Sequence, residues 1–373
     1  MSRWRWRGTV ALVGVALAFF IYPLLPNDDV INSDWPAFAT GARLIVSDPA
    51  HLYDLDTQRR VETDVTGGRV LVTLSIKGIL PFLAPAWVAF IGVPFDAFGP
   101  NVGGRLWMLF GLLCLLAGLY LAVRPRGPTT WLPAFAGVPT ALTMVNAQID
   151  GFVALGIGGA IALWPRRYLA GLVLGLTLVK PQLVLPLGAA VLLAREWRVF
   201  AGWATAGFIL LASTLALNPR WIFDWLSDTR STVQTGAREI DLPHFAVLLP
   251  DNLQGGAIAA LTLLSLTAIV WLAWRVRDQK KMQPAIAIIV AGGVLAAPHA
   301  LPADYVIVAL GMAIWGEARW FEWLGLSVAA LASALLPAPI PTVIGALSIG
   351  WICVRIAGLS TWRSPEPARA PAR

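Results

Sequence analysis

Residues 105–126 read RLWMLFGLLCLLAGLYLAVRPR. The uncharged stretch from Leu106 to Val123 lies between Arg105 and the Arg124-Pro125-Arg126 stop. It has about the length a helix needs to cross the roughly 30 Å hydrocarbon core of a bilayer. The pattern recurs along the 373-residue chain, which is 57% hydrophobic and 13% charged, with a mean hydropathy of +0.70. A soluble domain of this size carries about 25% charged residues. The chain therefore reads as an all-α polytopic membrane protein. Its net charge of +7 sits in short basic clusters between apolar runs, so it does not indicate nucleic-acid binding.

Toward the N-terminus, Val10–Leu25 follows Arg3, Arg5 and Arg7. No small-residue cleavage site precedes the next loop, so the run is read as the first membrane helix (about 8–25) rather than a cleaved signal. The polar segment 26–79 forms a first outer loop, with helical spacing over Phe38–Val46 and Leu52–Val65 that predicts amphipathic helices lying at the interface. Leu80–Phe98, broken by Pro81, Pro85 and Pro94, dips in without crossing. Toward the C-terminus, further spans are predicted at about 131–145, 151–164, 169–179, 183–193 and 199–217. A second outer loop, 218–254, precedes spans at about 256–273, 284–297, 305–315, 321–336 and 342–356. The Pro/Ala/Arg-rich tail 363–373 is expected to be disordered. Residues 1–362 thus make one domain of about twelve transmembrane helices with both termini cytoplasmic. That orientation leaves the basic clusters on the inside and the opposite side net negative, as the positive-inside rule requires.

The same orientation gathers the polar interruptions on the outer face. Asp34 in Asn32-Ser33-Asp34-Trp35-Pro36-Ala37-Phe38, the Asn146-Ala147-Gln148-Ile149-Asp150 turn, Lys180-Pro181-Gln182, and His299 through Asp304-Tyr305 come from distant parts of the chain. Ionisable groups at membrane depth are costly and are functional candidates by default. Lys180 reads either as a cation for a phosphate or as a lysine snorkelling to the interface. His299 reads as a phosphate donor or proton shuttle, or as an interfacial histidine. Asp304 suits a helix cap, while Gln148 and Asp150 suit either a cap or a hydroxyl ligand. Arg43, His51, Tyr53 and Asp54 lie on the first-loop helices. No glycine-rich phosphate loop, metal motif or serine elbow occurs. Cys114 and Cys353 offer neither a disulfide framework nor a metal site, so no cofactor is expected, and only a divalent cation remains open.

The order of these features resembles glycosyltransferase family 87, the DUF2029-type membrane enzymes of the GT-C class. It runs from Ser33-Asp34-Trp35-Pro36-Ala37-Phe38, Gly41-Ala42-Arg43 and His51-Leu52-Tyr53-Asp54 through Leu83-Ala84-Pro85-Ala86, Val93-Pro94 and Asn146-Ala147-Gln148. It closes with Ala170–Gly175 leading to Lys180-Pro181, and with Ala297-Pro298-His299. The similarity is to polyprenyl-phosphate-mannose-dependent mannosyltransferases of bacterial glycolipid synthesis. It implies a GT-C-type fold in the inner membrane and a site on the periplasmic face. It also implies a polyprenyl-phosphate sugar donor, mannose above other sugars, and a lipid or glycan acceptor. By the same resemblance Asp34 is the general base of an inverting transfer, and Lys180 and His299 hold the donor phosphate. Arg43, His51, Tyr53, Asp54, Gln148, Asp150 and Asp304 are the expected sugar or acceptor ligands. A lipid or small-molecule transporter and a non-catalytic envelope-assembly subunit are the competing readings.

Overall fold

The computed structural model describes residues 3–24, 30–69, 71–72, 77–231, 238–277 and 282–358. The tail expected to be disordered lies outside these residues, as do 232–237 of the second outer loop. The described chain is almost wholly helical. The exception is a two-residue antiparallel pair that matches Leu71 to Gly78 and Val72 to Lys77.

Four described helices are long and apolar enough to cross a membrane: Trp6–Leu24, Gly99–Val123, Trp197–Leu217 and Asp251–Arg275. The other apolar helices are shorter, among them Ala86–Asp96, Asp150–Ala162, Gln283–Ala296, Trp320–Leu335 and Ile340–Ile356. At about 1.5 Å per residue the 11-residue Ala86–Asp96 helix rises roughly 16 Å, half of a bilayer core. The run expected as one span near 131–145 is two helices, Pro128–Phe135 and Val138–Val145. Gly137, whose backbone is extended, divides it, and Pro139 has no N–H to return to the Phe135 carbonyl four residues back.

A long and a short helix pack here through glycine. A Cβ on Gly151 would overlap the Gly111 carbonyl, and one on Gly158 would overlap the Gly118 carbonyl. The Gly99–Val123 and Asp150–Ala162 helices therefore approach backbone to backbone, the small-residue packing that lipid favours where no hydrophobic force separates helix from solvent. The Gln283–Ala296 and Tyr305–Trp315 helices lie at the centre. Every residue of Tyr305–Trp315 is buried, as are all residues from Ala287 to Ala296. The 297–304 loop is slung between these two helices.

The first-loop helices form at Trp35–Ser47 and Leu55–Thr66, close to the predicted spacing. The first is not an interfacial helix. Trp35, Ala39 and Thr40 are fully buried and Leu44 nearly so. The Phe82 ring occupies the space over Gly41 where a Cβ would stand, and the Trp35 indole donates to the Pro100 carbonyl at 2.8 Å. Leu55–Thr66 holds the proline-broken segment: Gln58 Oε1 accepts from Phe82 N at 2.7 Å and Glu62 Oε1 from Leu80 N at 2.8 Å. The two polar loop regions touch. Asn218 Nδ2 donates to the Pro49 carbonyl at 3.0 Å, Trp225 Nε1 donates to the Leu83 carbonyl at 2.7 Å, and the Trp221 ring lies over Tyr53.

Candidate active site

Asp34 stands at the N-terminus of the Trp35–Ser47 helix, where an aspartate ordinarily caps, yet its carboxylate makes no capping bond. Ser33 takes that role: its Oγ accepts from Trp35 N at 3.2 Å and donates to the Val30 carbonyl at 2.6 Å. The Asp34 carboxylate instead accepts from the Gln148 side-chain amide, and Asp34 N donates to the Asn146 carbonyl at 3.1 Å. The turn that presents Gln148 is bent at Ala147, whose φ of 52° is left-handed, a region sparsely used outside glycine. The buried Trp107 indole holds it by donating to the Ala147 carbonyl at 2.8 Å.

Beside Asp34 lies a closed charge cluster. Lys180, at the break between two 3-10 turns, puts its Nζ 3.0 Å from each Asp150 oxygen and 2.6 Å from Asp304 Oδ1. An ammonium has three N–H donors, and each has a carboxylate oxygen here. Asp304 Oδ2 also accepts from Leu301 N at 2.6 Å, so this residue caps its turn and binds Lys180 at once. Asp150 is fully buried and Asp304 2% exposed. These two are sealed from an incoming hydroxyl, and Gln148, half-buried, is the member of the turn that remains within reach. Lys180 is correspondingly not a free cation. Burial raises the Asp34 carboxyl to about 6, against the lowering pull of Lys180 and the Gln148 amide and with a further push from Asp304. The carboxylate thus belongs to the electrostatic neighbourhood of the cluster.

His299, in the slung loop, has a side chain 53% exposed, and its Nδ1 lies 3.0 Å from Glu239 Oε1. The other oxygen of Glu239 lies 3.1 Å from His244 Nδ1. One carboxylate therefore bridges two imidazoles. Burial would lower the His299 pKa, but Glu239 outweighs it, with help from Asp241 and Asp304, and holds it at about 9. Glu239 itself falls to about 2: burial pushes it up, and the two histidines overcome that. Asp241 fixes the arrangement by accepting from His244 N at 2.9 Å and Ala300 N at 2.8 Å. Ile240 N adds a bond to the Ala300 carbonyl at 2.9 Å. The segment 239–244 is thereby stapled to the loop that carries His299.

The structure thus brings together Asp34, Gln148, Asp150, Lys180 and Asp304, and links His299 to them through its interaction with Asp304. The other first-loop candidates are engaged elsewhere. Arg43 pairs with Asp96 at 3.0 Å and the exposed His51 with Asp48 at 2.9 Å, while Asp54 caps its helix through Thr57 N at 2.8 Å. Tyr53, 3% exposed, donates to the Ala84 carbonyl at 2.8 Å, which leaves no open ring face for a sugar. Sequence reasoning missed Glu239, Asp241 and His244. Their signal was Glu239-Ile240-Asp241-Leu242-Pro243-His244, two carboxylates and a histidine within six residues of a polar loop.

An all-α membrane protein with a partly accessible carboxylate, a buried carboxylate–ammonium cluster and a carboxylate-bridged imidazole pair belongs to the class of membrane enzymes whose site sits among broken helices. The family model of glycosyltransferase family 87 matches residues 82–302, more than half of the chain. The chain belongs to that family and is a glycosyltransferase. The matched stretch contains Gln148, Asp150, Lys180, Glu239, His244 and His299, whereas Asp34 precedes it. No curated protein and no solved structure matches the chain.

Proposed function

We propose that this glycosyltransferase takes a sugar, mannose first among the choices, from a polyprenyl phosphate. It transfers the sugar to a lipid or glycan acceptor at the outer face of a bacterial inner membrane. The observation that carries this reading is the state of Asp34. Its carboxylate is relieved of capping by Ser33, steered by Gln148 and poised at about 6, which suits a general base working near neutral pH. Asp34 removes the proton of the acceptor hydroxyl as that oxygen bonds to the anomeric carbon. The bond from that carbon to the phosphate oxygen breaks with inversion, and the phosphate leaves with the electron pair. His299, half-exposed and cationic to about pH 9, faces the charge that grows on the phosphate, as preorganised donors do in transition-state stabilisation. With its donors spent, Lys180 acts from one shell further out: it locks Asp150 and Asp304 and supplies field rather than a direct phosphate bond. The fold that would support this chemistry is a GT-C-type arrangement of about twelve transmembrane helices, with the shorter ones lining the site.

The test is to incubate the purified protein in lipid with a panel of polyprenyl-phosphate sugars and nucleotide sugars, each with a cell lipid extract, and to read the products by mass spectrometry. Transfer from polyprenyl-phosphate mannose that is lost in Asp34→Asn is the expected result. Transfer from nucleotide sugars alone would overturn the donor assignment, and unchanged turnover in Asp34→Asn would remove the base.

A further inference from the structure

The Glu239 bridge has a feature that one phosphate-facing histidine does not require. His244 is buried, with only 7% of its side chain exposed, and its Nδ1 is taken by Glu239. Its Nε2 has no hydrogen-bond partner among the described residues. A buried ring nitrogen left unpaired is costly, and such orphans in native proteins call for an explanation. Two histidines whose Nδ1 atoms lie 3.0 and 3.1 Å from one carboxylate are each fixed in ring orientation and in tautomer. In the imidazolium form, which the shared carboxylate favours, both carry an Nε2–H beside the Nδ1–H given to Glu239, and that Nε2–H is the one left to donate.

We propose that His244 is a second phosphate ligand, and that Glu239 is the positioning residue that aligns it with His299 as a two-imidazole cradle for the donor's phosphate, which is a diester in the donor and a monoester once the sugar has left. This deepens and rests on the donor reading above. Glu239 cancels one of the two imidazolium charges and an ionised Asp241 offsets the other, so the pair draws a phosphate through its oriented donors rather than through excess charge. Of the nearby carboxylates, Asp241 spends both oxygens on backbone N–H groups and Asp304 is engaged by Lys180 and Leu301 N. The groups that face the two rings are therefore Glu239, Asp241 and Asp304 for His299, and Glu239, Asp241 and His299 for His244. Such a cradle takes the anionic oxygens of the phosphate, before and after the sugar leaves, and its two fixed donors distinguish that group from a neutral headgroup.

The probe is undecaprenyl monophosphate, without sugar, bound to the full-length protein in lipid nanodiscs. Wild type is expected to bind, and His244→Ala to bind roughly tenfold more weakly, the loss expected for one charge-assisted hydrogen bond. Glu239→Gln should weaken binding at least as much, with Glu239→Asp recovering part of it. A readout independent of binding uses the protein's three histidines, which make a ¹⁵N-histidine spectrum simple to assign. In Glu239→Gln the His244 and His299 rings should lose their imidazolium signals at lower pH than in wild type, while His51, paired with Asp48, stays unchanged. Thermal unfolding of each variant checks that the fold persists. Equal binding by wild type and a folded His244→Ala would overturn the cradle and leave the donor class standing. Failure of wild type to bind any polyprenyl phosphate would overturn the donor class and the cradle with it.

Discussion

Asp34 and His299 set the chemistry at the scale of single residues. A base that titrates at about 6 and an imidazolium that titrates at about 9 make activity rise with pH as Asp34 loses its proton and fall as His299 loses its own. The pH–rate profile of sugar transfer should therefore be a bell with limbs near those values. Asp34→Asn should lower kcat by 10²-fold or more, given that general base catalysis is typically worth about 10²–10⁴. Its melting temperature should stay near that of wild type, because the carboxylate caps nothing. Lys180 is the opposite case. Lys180→Met leaves two buried carboxylates facing each other without their cation, and removing one partner of a buried ion pair costs about 3–5 kcal/mol. Its effect should show first as a lower unfolding temperature in lipid, with Lys180→Met/Asp150→Asn regaining part of the loss.

Helices are the next scale, and glycine decides how they meet. Gly158→Leu would drive a side chain into the Gly118 carbonyl and separate the Gly99–Val123 and Asp150–Ala162 helices. Since the second of these begins at Asp150, the substitution should lower the yield of monodisperse protein in size-exclusion chromatography and should weaken transfer as well. At this scale the sequence was partly legible. The apolar run to Val123 and its arginine stop foretold a span, and the Lys180-Pro181 break foretold a polar point at depth. The burial of Trp35–Ser47 was not legible, because a helical stripe holding Ala39, Gly41 and Ala42 has the same spacing whether it meets a headgroup layer or the Phe82 ring. Nor could spacing show that Lys180 would meet Asp304, 124 residues away, since an ion pair across that separation leaves no local pattern. The Glu239 segment hid for a related reason: charged residues in a polar loop look solvated until a partner such as His299 is seen against them.

At the scale of the whole molecule, the segments 26–98 and 218–254 touch, through Asn218 and Pro49 and through Trp225 and Leu83, whichever side of the membrane they face. Cysteine labelling of intact cells tests directly the orientation expected from the basic clusters. Asn32→Cys and Asn252→Cys, both at exposed positions, should react with a membrane-impermeant maleimide from outside. Arg166→Cys and Arg195→Cys, also exposed, should react only after the cells are opened. Background labelling should be low, because Cys114 and Cys353 are both buried; the reverse pattern would place the site on the cytoplasmic face.

The ammonium shared by Asp150 and Asp304 bears on how the chain is made. Translation delivers Asp150 and Lys180 thirty residues apart, so one emerging hairpin can slip into lipid with its opposite charges already matched. Asp304 leaves the ribosome some tens of seconds later at the slower end of about 5–20 residues per second. An Asp150→Leu chain would send a bare lysine into the bilayer for that interval, so its defect should register with the insertion and quality-control machinery before any sugar is moved.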